Sequence, residues 1–391
     1  MKKIGILTSG GDCPGLNAVI RAVVKSATRQ GWEVYGIPRG TDGFIHIDQG
    51  ICQPQELKLR EHGYDIPGVL QGLDVLQFLS GSILGSLSKG NPNEPAVAQQ
   101  VLAGYQKLGL DALVVVGGDG SLDIICTLAE QGQWNIIAVP KTIDNDVPFT
   151  EQAVGFNTAV NTVTDALYDL TFTAASHDRV MVVQVMGRDA GHLGLSAGIA
   201  GGADVILIPE RVPQLTDTVV SEICYHLAKI RNEGRKFALL VVAEGVHGPS
   251  GRIEKNIGEI LAQQIKDFSR QLCESGQEDF CSMEDVDTRS TVLGHIQRSG
   301  TPSAFDRLLA TSYGTKAVEL IAQGYQNQIV LWQGGKVVTK PLAEVLPVIR
   351  QCHQENRCAG PVSPDSNLVQ VAQALGVYVS GSAPDVRMER V

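Results

Sequence analysis

The sequence predicts an α/β protein built of two doubly wound, Rossmann-like lobes. Three observations lead there. A short apolar, β-branched run that stops at a glycine turn and gives way to a helix occurs three times: Ile4–Thr8 before Ser9-Gly10-Gly11, Val114–Val116 before Gly117-Gly118-Asp119-Gly120-Ser121, and Val180–Val185 before Met186-Gly187. These runs are apolar at successive positions, as in strands buried on both faces of a parallel sheet. The chain's 391 residues suffice for two domains, and its 43 glycines suit many strand-to-helix turns.

In chain order, Ile4–Thr8 reads as a strand and the next segment, through about Gln30, as a helix with one apolar face. Val34–Ile37 is a short strand, Ile51–Leu79 has no clear period, and Gly81–Pro92 is a glycine- and serine-rich loop. Pro95 opens a helix to Leu108, at the position where proline is tolerated. Strand Val114–Val116, helix Leu122–Gln131 and strand Ile136–Val139 follow, and then the polar run Lys141-Thr142-Ile143-Asp144-Asn145-Asp146. The amphipathic helix Phe156–Thr173 carries the chain into the second lobe. There the strands are Val180–Val185, Val205–Ile208 and Phe237–Ala243, with helices at Thr216–Asn232 and Ser250–Cys273. The acidic segment Glu274–Glu284 reads as a surface insertion. Ala304–Gln323 is a helix, Val330–Leu346 a strand, turn and short helix, and the tail from Pro347 has mixed composition.

Composition excludes several classes. With 32 basic against 42 acidic residues, net −10, the chain lacks the cationic surface that nucleic acid requires. No apolar run is long enough to span a membrane, and Met1-Lys2-Lys3 leads straight into a strand rather than into a signal peptide's apolar region. The eight cysteines include no Cys-x-x-Cys pair, which argues against zinc, and scattered thiols fit a reducing cytoplasm.

Chemistry concentrates at the glycine turns. Gly10, Gly11, Gly117, Gly118 and Gly120 let a phosphate approach the backbone, and the helix after each loop offers free N–H groups and the positive end of its dipole. Asp119 would repel those phosphates unless a divalent cation lay between them. Asp144 and Asp146, two residues apart beyond a strand's carboxyl end, stand where open α/β sheets bind ligands. Together these features suggest phosphoryl transfer.

The pairing of Gly117-Gly118-Asp119-Gly120-Ser121 with Lys141–Asp146 resembles the 6-phosphofructokinases of the phosphofructokinase A family, from Met1 to about Gln323. The resemblance implies two lobes with the active site in the cleft between them. Residues 1–155 and 297–347 would bind ATP and Mg2+, residues 156–296 fructose 6-phosphate, and 348–391 would form a tail on the second lobe. Asp144 would be the base for the sugar 1-hydroxyl, supported by Thr142, Asp146 and Arg188, and Asp119 would ligate Mg2+. Gly11, Gly118, Asp119, Gly120, Ser121 and the loop residues Ser88 and Lys89 would hold ATP. Ser88 stands where many bacterial ATP-dependent relatives have an arginine. Met186, Gly187, Glu244, Arg188, His295, Arg298, Thr142 and Asp144 would contact the sugar phosphate. Arg179 and Arg289 would reach the 6-phosphate of a neighbouring subunit, implying a homo-oligomer, with a tetramer favoured.

The donor signature is mixed: Gly120 leaves room for ATP, whereas Lys141 is typical of pyrophosphate-using relatives. ATP is preferred because Gly120 decides whether the nucleotide fits. Two other readings remain, a non-catalytic sugar-phosphate or nucleotide sensor on the same fold and an NAD or lipid kinase relative. The presence of both Asp119 and Asp144 weighs against the sensor, and the Lys141–Asp146 run against the other kinases. A regulatory pocket like that of bacterial relatives would draw on Arg21, Lys25 and Glu210, but Phe172 stands where those relatives have an arginine.

Overall fold

The computed structural model describes residues 1–60, 72–86, 94–274, 278–283 and 286–379. The chain forms two compact units, Met1–Ala159 with Arg298–Gly360, and Val160–Gln297 with Pro361–Val391.

The first unit opens with β1 (Lys3–Thr8), α1 (Leu16–Arg29), β2 (Glu33–Ile37), α2 (Asp42–Asp48) and the edge strand β3 (Lys58–Leu59). It continues through α3 (Pro95–Leu108), β4 (Ala112–Gly117), α4 (Asp119–Gly132) and β5 (Ile136–Pro140). Helix α5 (Phe156–Ser176) carries the chain into the second unit, with β6 (Val180–Val185), α6 (His192–Ala200), β7 (Val205–Leu207), α7 (Asp217–Asn232), β8 (Ala238–Ala243), α8 (Ile257–Glu274) and β9 (Thr288–Val292). The chain then returns to the first unit as α9 (Ala304–Ala322), β10 (Gln328–Gln333), β11 (Lys336–Pro341) and α10 (Leu342–Gln354). The short α11 (Asn367–Ala374) belongs to the second unit again.

The first sheet has the order β11-β10-β5-β4-β1-β2-β3, with β10, β5, β4, β1 and β2 parallel and both edge strands antiparallel. The chain winds from β1 outward to β2 and later from β4 outward to β5, so β1 and β4 flank the topological switch point where such sheets bind ligands. All six residues of β4 are buried, which accounts for its uninterrupted apolar run. Gly104 of α3 lets that helix lie directly on α2: a Cβ there would stand 1.9 Å from the Phe44 carbonyl oxygen. The second sheet, β7-β8-β6-β9, is wholly parallel and has its own core, including Val182, Leu240 and Ile265. No described helix is long and apolar enough to cross a membrane.

Several elements differ from the sequence expectation. Helix α4 begins at Asp119 rather than Leu122, placing Asp119, Gly120 and Ser121 in its first turn, where the helix dipole favours a carboxylate. Residues 250–256 are turn rather than helix, since Gly251 takes φ +75° and His247 bridges Ile253. The 274–284 segment is no mere surface insertion: Phe280 and Met283 are buried in the second core. The tail divides rather than lying wholly on the second lobe. Helix α10 runs on to Gln354 within the first unit, and the chain joins the second unit only from Pro361. The sequence reading stops that helix near Pro347. The proline costs it one backbone hydrogen bond, about 3 kcal/mol in a helix interior, and burial of Leu342, Val345, Leu346, Ile349 and Cys352 offsets this.

Candidate active site

The first unit brings its glycine loops together through strand register. Thr8 of β1 lies opposite Val116 of β4, and Gly117 lies opposite Pro140 of β5. The Ser9–Gly11 loop, the start of α4 and the Lys141–Asp146 run therefore leave one sheet edge side by side. The approach is close: a Cβ on Gly10 would meet the Ser121 hydroxyl at 2.7 Å, and one on Gly118 the Lys141 carbonyl at 3.5 Å. Gly120 differs. It has no positive φ, and a Cβ there would point into open space. Neither packing nor backbone strain requires glycine at Gly120, and its bareness leaves room in front of α4.

The 79–86 loop is tied to the same edge. Thr8 Oγ1 pairs with Ser82 Oγ at 2.8 Å, and Asn17 Oδ1 accepts the Ile83 N–H at 2.8 Å. Ser88 and Lys89, expected further along this loop, lie outside the described residues.

The acidic residues converge behind the loops. Asn145 adopts the left-handed conformation, φ +55°, and its side chain is fixed by the Glu151 carbonyl and the Ala153 N–H. That turn places Asp144 and Asp146 in one field of charge. The Asp144 N–H donates to Thr142 Oγ1 at 3.0 Å. Asp146 Oδ1 is buried without a hydrogen-bond partner, and the Asp146 carboxyl is pushed up to about 7, first by burial and then by the Asp119 and Asp144 charges. An orphaned carboxylate oxygen among three carboxylates suits a divalent cation. Among the described residues no three His, Cys, Asp or Glu side chains form a complete metal cage. A cation that keeps waters and takes oxygens from a phosphate, as Mg2+ does, fits such a partial donor set.

Two cations border the first loop. Lys141 is buried, its Nζ donates to the Gly11 carbonyl, and burial pulls its pKa below the usual lysine value. Arg298, expected at the sugar phosphate, belongs to the first unit. Its Nη1 donates to the Asp12 carbonyl at 3.2 Å, and a Cβ on Gly11 would stand 2.6 Å from that atom. The short 3-10 turn Gly294–Arg298 ends where the chain returns to the first unit, and this places Arg298 over the loop.

In the second unit, Met186-Gly187-Arg188, Glu244 and His295 follow the carboxyl ends of the adjacent parallel strands β6, β8 and β9. Arg188 and His295 are exposed. Gly187 takes φ +126°, and Gly245 donates its N–H to the Gly187 carbonyl at 3.1 Å. Buried Gln297 accepts the Met186 N–H at 3.1 Å. Arg179 and Arg289 are not with this group. They lie toward the amino ends of β6 and β9: at ~3.3 Å per residue Arg179 is about 23 Å from Met186 along the strand, and Arg289, level with Met181, about 17 Å. There Asp287 holds both, at 2.7 Å from Arg179 Nε and 3.0 Å from Arg289 Nη2.

The sequence reading missed Gly245, Gln297 and His353. Gly245 and Gln297 adjoin quoted motifs, but only a contact reveals what they do. His353 Nε2 lies 2.9 Å from Asp119 Oδ2. Burial alone would lower its pKa, but Asp119 and Asp123 outweigh that and hold the imidazole above its ordinary value. Of the residues expected at a regulatory pocket, Arg21 and Lys25 both pair with Asp74, at 2.7 and 2.5 Å. The seven described cysteines are free, and burial pushes the Cys13 and Cys126 thiols up to about 12. Such buried thiols are poor redox sensors.

Comparison with known proteins bears on this geometry. The family described as Phosphofructokinase matches residues 3–321. The chain is 50% identical over 391 residues to ATP-dependent 6-phosphofructokinase 2 of Nostoc sp., covering 97% of this chain and 98% of that protein. It is 47% identical over 388 residues to the ATP-dependent 6-phosphofructokinase of Thermosynechococcus vestitus, covering 97% and 93%. Among solved structures, phosphofructokinase from Saccharomyces cerevisiae superposes with TM-score 0.72 at 28% identity, over 90% of this chain and 46% of the yeast chain. A pyrophosphate-dependent phosphofructokinase from Nitrosospira multiformis shares the fold, with TM-score 0.71 at 20% identity over 88% of this chain and 84% of that one. By this match along most of its length, the chain belongs to the phosphofructokinase family.

Proposed function

We propose that this protein transfers the terminal phosphate of ATP to the 1-hydroxyl of fructose 6-phosphate, giving fructose 1,6-bisphosphate and ADP. The observation that carries the reading is the convergence of Asp119, Asp144 and Asp146, with a buried unpartnered oxygen on Asp146, beside two glycine loops at one sheet edge. The relatives named as ATP-dependent 6-phosphofructokinases support it.

Asp144 takes the proton from the sugar 1-hydroxyl as that oxygen bonds to the terminal phosphorus and the bond to the bridging oxygen of ADP breaks. Thr142 accepts the Asp144 N–H and so fixes the backbone that carries that carboxylate. The N–H groups at the start of α4 and in the Gly11 loop hold the donor phosphates. Asp119, with Asp146 close by, would hold Mg2+, which would supply charge neutralisation for the transferring group. Arg188 balances charge on the phosphoryl group, Met186, Gly187 and Glu244 contact the sugar, and His295 and Arg298 contact its phosphate.

Gly120 supports ATP as donor, because the space in front of it admits the nucleotide's α-phosphate. Lys141, the feature shared with pyrophosphate users, donates one of its three N–H groups to the Gly11 carbonyl and is compatible with either donor. Assaying ATP and pyrophosphate side by side with fructose 6-phosphate tests the assignment, and turnover with pyrophosphate alone overturns it. Gly120→Asp is expected to lower kcat/KM for ATP about fivefold or more, since a carboxylate about 4 Å from a phosphate costs ~1–4 kcal/mol at effective dielectrics of 80 to 20. Wild-type kcat/KM in that variant would refute this account of the donor pocket.

We further infer a homo-oligomer, with a tetramer favoured, in which Arg179 and Arg289 complete a neighbour's sugar-phosphate site. Their place at the opposite end of the second sheet from Met186 and Glu244 supports this. Asp144→Ser and Arg289→Ala subunits, each nearly inactive alone, are expected to regain activity when co-expressed, because mixed oligomers contain some intact sites. Absence of recovery in confirmed mixed oligomers would count against shared sites.

A further inference from the structure

Helix α10 and the segment to Gly360 lie beyond the residues that match the family, yet they touch both acidic motifs of the first unit. Asp119, Asp123, Thr127 and Glu130 recur along one face of α4 at spacings of four, four and three. Arg350 of α10 binds Asp123 at 2.7 Å from Nε, and its Nη2 donates to Thr127 Oγ1 at 3.0 Å. One turn later, His353 places Nε2 at 2.9 Å from Asp119 Oδ2 and Nδ1 at 3.7 Å from Asp123 Oδ2. At the far end of the segment, Gly360 packs on the other motif: a Cβ there would stand 2.6 Å from the Asp146 carbonyl oxygen. Gly360 has no positive φ, so this close approach, not backbone conformation, is what requires glycine.

We propose that His353 is a positioning residue for the donor's metal, fixing the Asp119 carboxylate by a hydrogen bond from Nε2. The proposal rests on the reading of Asp119 as the Mg2+ ligand. A carboxylate in the first turn of a helix can rotate about two side-chain bonds. Here Oδ1 accepts the Gly120 N–H at 2.7 Å and Oδ2 accepts from His353, so both oxygens are tethered and the carboxylate plane is set. Each oxygen keeps a lone pair for a cation. Arg350 in turn holds Asp123, which faces the other imidazole nitrogen. Hydrogen-bond partners of this kind govern metal affinity by orienting the ligand. The family-matched region contributes the ligand, and the segment beyond it orients it.

The test uses the full chain as wild type, His353→Ala, His353→Gln and Arg350→Met. Binding of Mn2+ with the β,γ-imido analogue of ATP is followed by EPR of enzyme-bound Mn2+, alongside thermal unfolding and the KM for fructose 6-phosphate. His353→Ala is expected to weaken Mn2+ binding about 10–100-fold with the sugar KM within about twofold of wild type. His353→Gln, whose amide can still donate, should keep most of the affinity, and Arg350→Met should fall between. Unchanged or tighter Mn2+ binding in His353→Ala overturns the proposal, the tighter result marking His353 as a competitor of the metal. If His353→Ala does not fold, His353→Gln and Arg350→Met carry the test, and a loss in His353→Gln as large as or larger than that in Arg350→Met overturns it. A wild type inactive with both ATP and pyrophosphate refutes the assigned reaction, whereas the Mn2+ series still decides the role of His353.

Discussion

Replacing Asp144 by serine is expected to lower kcat about 10²–10⁴-fold, the usual contribution of a general base, while the KM for fructose 6-phosphate changes little. The split follows from where the base acts. On the proposed mechanism Asp144 gains its interaction only as the 1-hydroxyl proton leaves, so its loss is felt in the transition state rather than in the bound substrate. The substitution also removes one of the charges that press on Asp146, so metal binding should not improve even if the variant is more stable. Steady-state kinetics with ATP and fructose 6-phosphate check the outcome. A near-normal kcat in Asp144→Ser would remove Asp144 from the mechanism.

Gly245→Ala is expected to have the second largest effect, although Gly245 performs no chemistry. A Cβ at Gly245 would stand 1.9 Å from the Arg188 carbonyl oxygen and 2.8 Å from that of Gly187. Both obstacles are backbone, so no side-chain rotation relieves the clash. The Gly187–Arg188 turn must move outward by about an ångström or more to restore ordinary contact. Overpacking of this kind typically costs ~1–3 kcal/mol of stability. A displacement of about 1 Å can cost about 10² in rate where a group must meet a transition state. The variant should therefore combine a lowered melting temperature with a loss in kcat/KM for fructose 6-phosphate. Mn2+ and nucleotide binding, which the proposed mechanism assigns to the first unit, should remain. Unaltered sugar-phosphate kinetics in a folded Gly245→Ala protein would show that the Arg188 turn tolerates the shift and has no role in catalysis.

Local order was legible in the sequence, and so were the residue types on which the proposed chemistry rests. The buried runs at Val114–Val116 and Val180–Val185 can only be interior parallel strands, because nothing in them faces water. The glycine turns, Asp119, Asp144 and Asp146 suggested phosphate and metal chemistry because their residue types and spacing have few other uses. These are properties of neighbouring residues, and sequence records neighbours directly. The tertiary structure decided what depends on distant segments meeting. Arg298 lies over the Gly11–Asp12 loop, where its Nη1 meets the Asp12 carbonyl across 286 positions of sequence, a contact that no local spacing discloses. Helix α10 passes through Pro347 because buried contacts outweigh the lost backbone hydrogen bond. That extension brings His353 onto Asp119 across 234 positions of sequence. Arg179 and Met186 are close in sequence yet stand at opposite ends of one strand, because an extended chain turns sequence separation into distance. Sequence fixed the strands, loops and reactive groups locally, and only packing between remote segments determined which of those groups face one another.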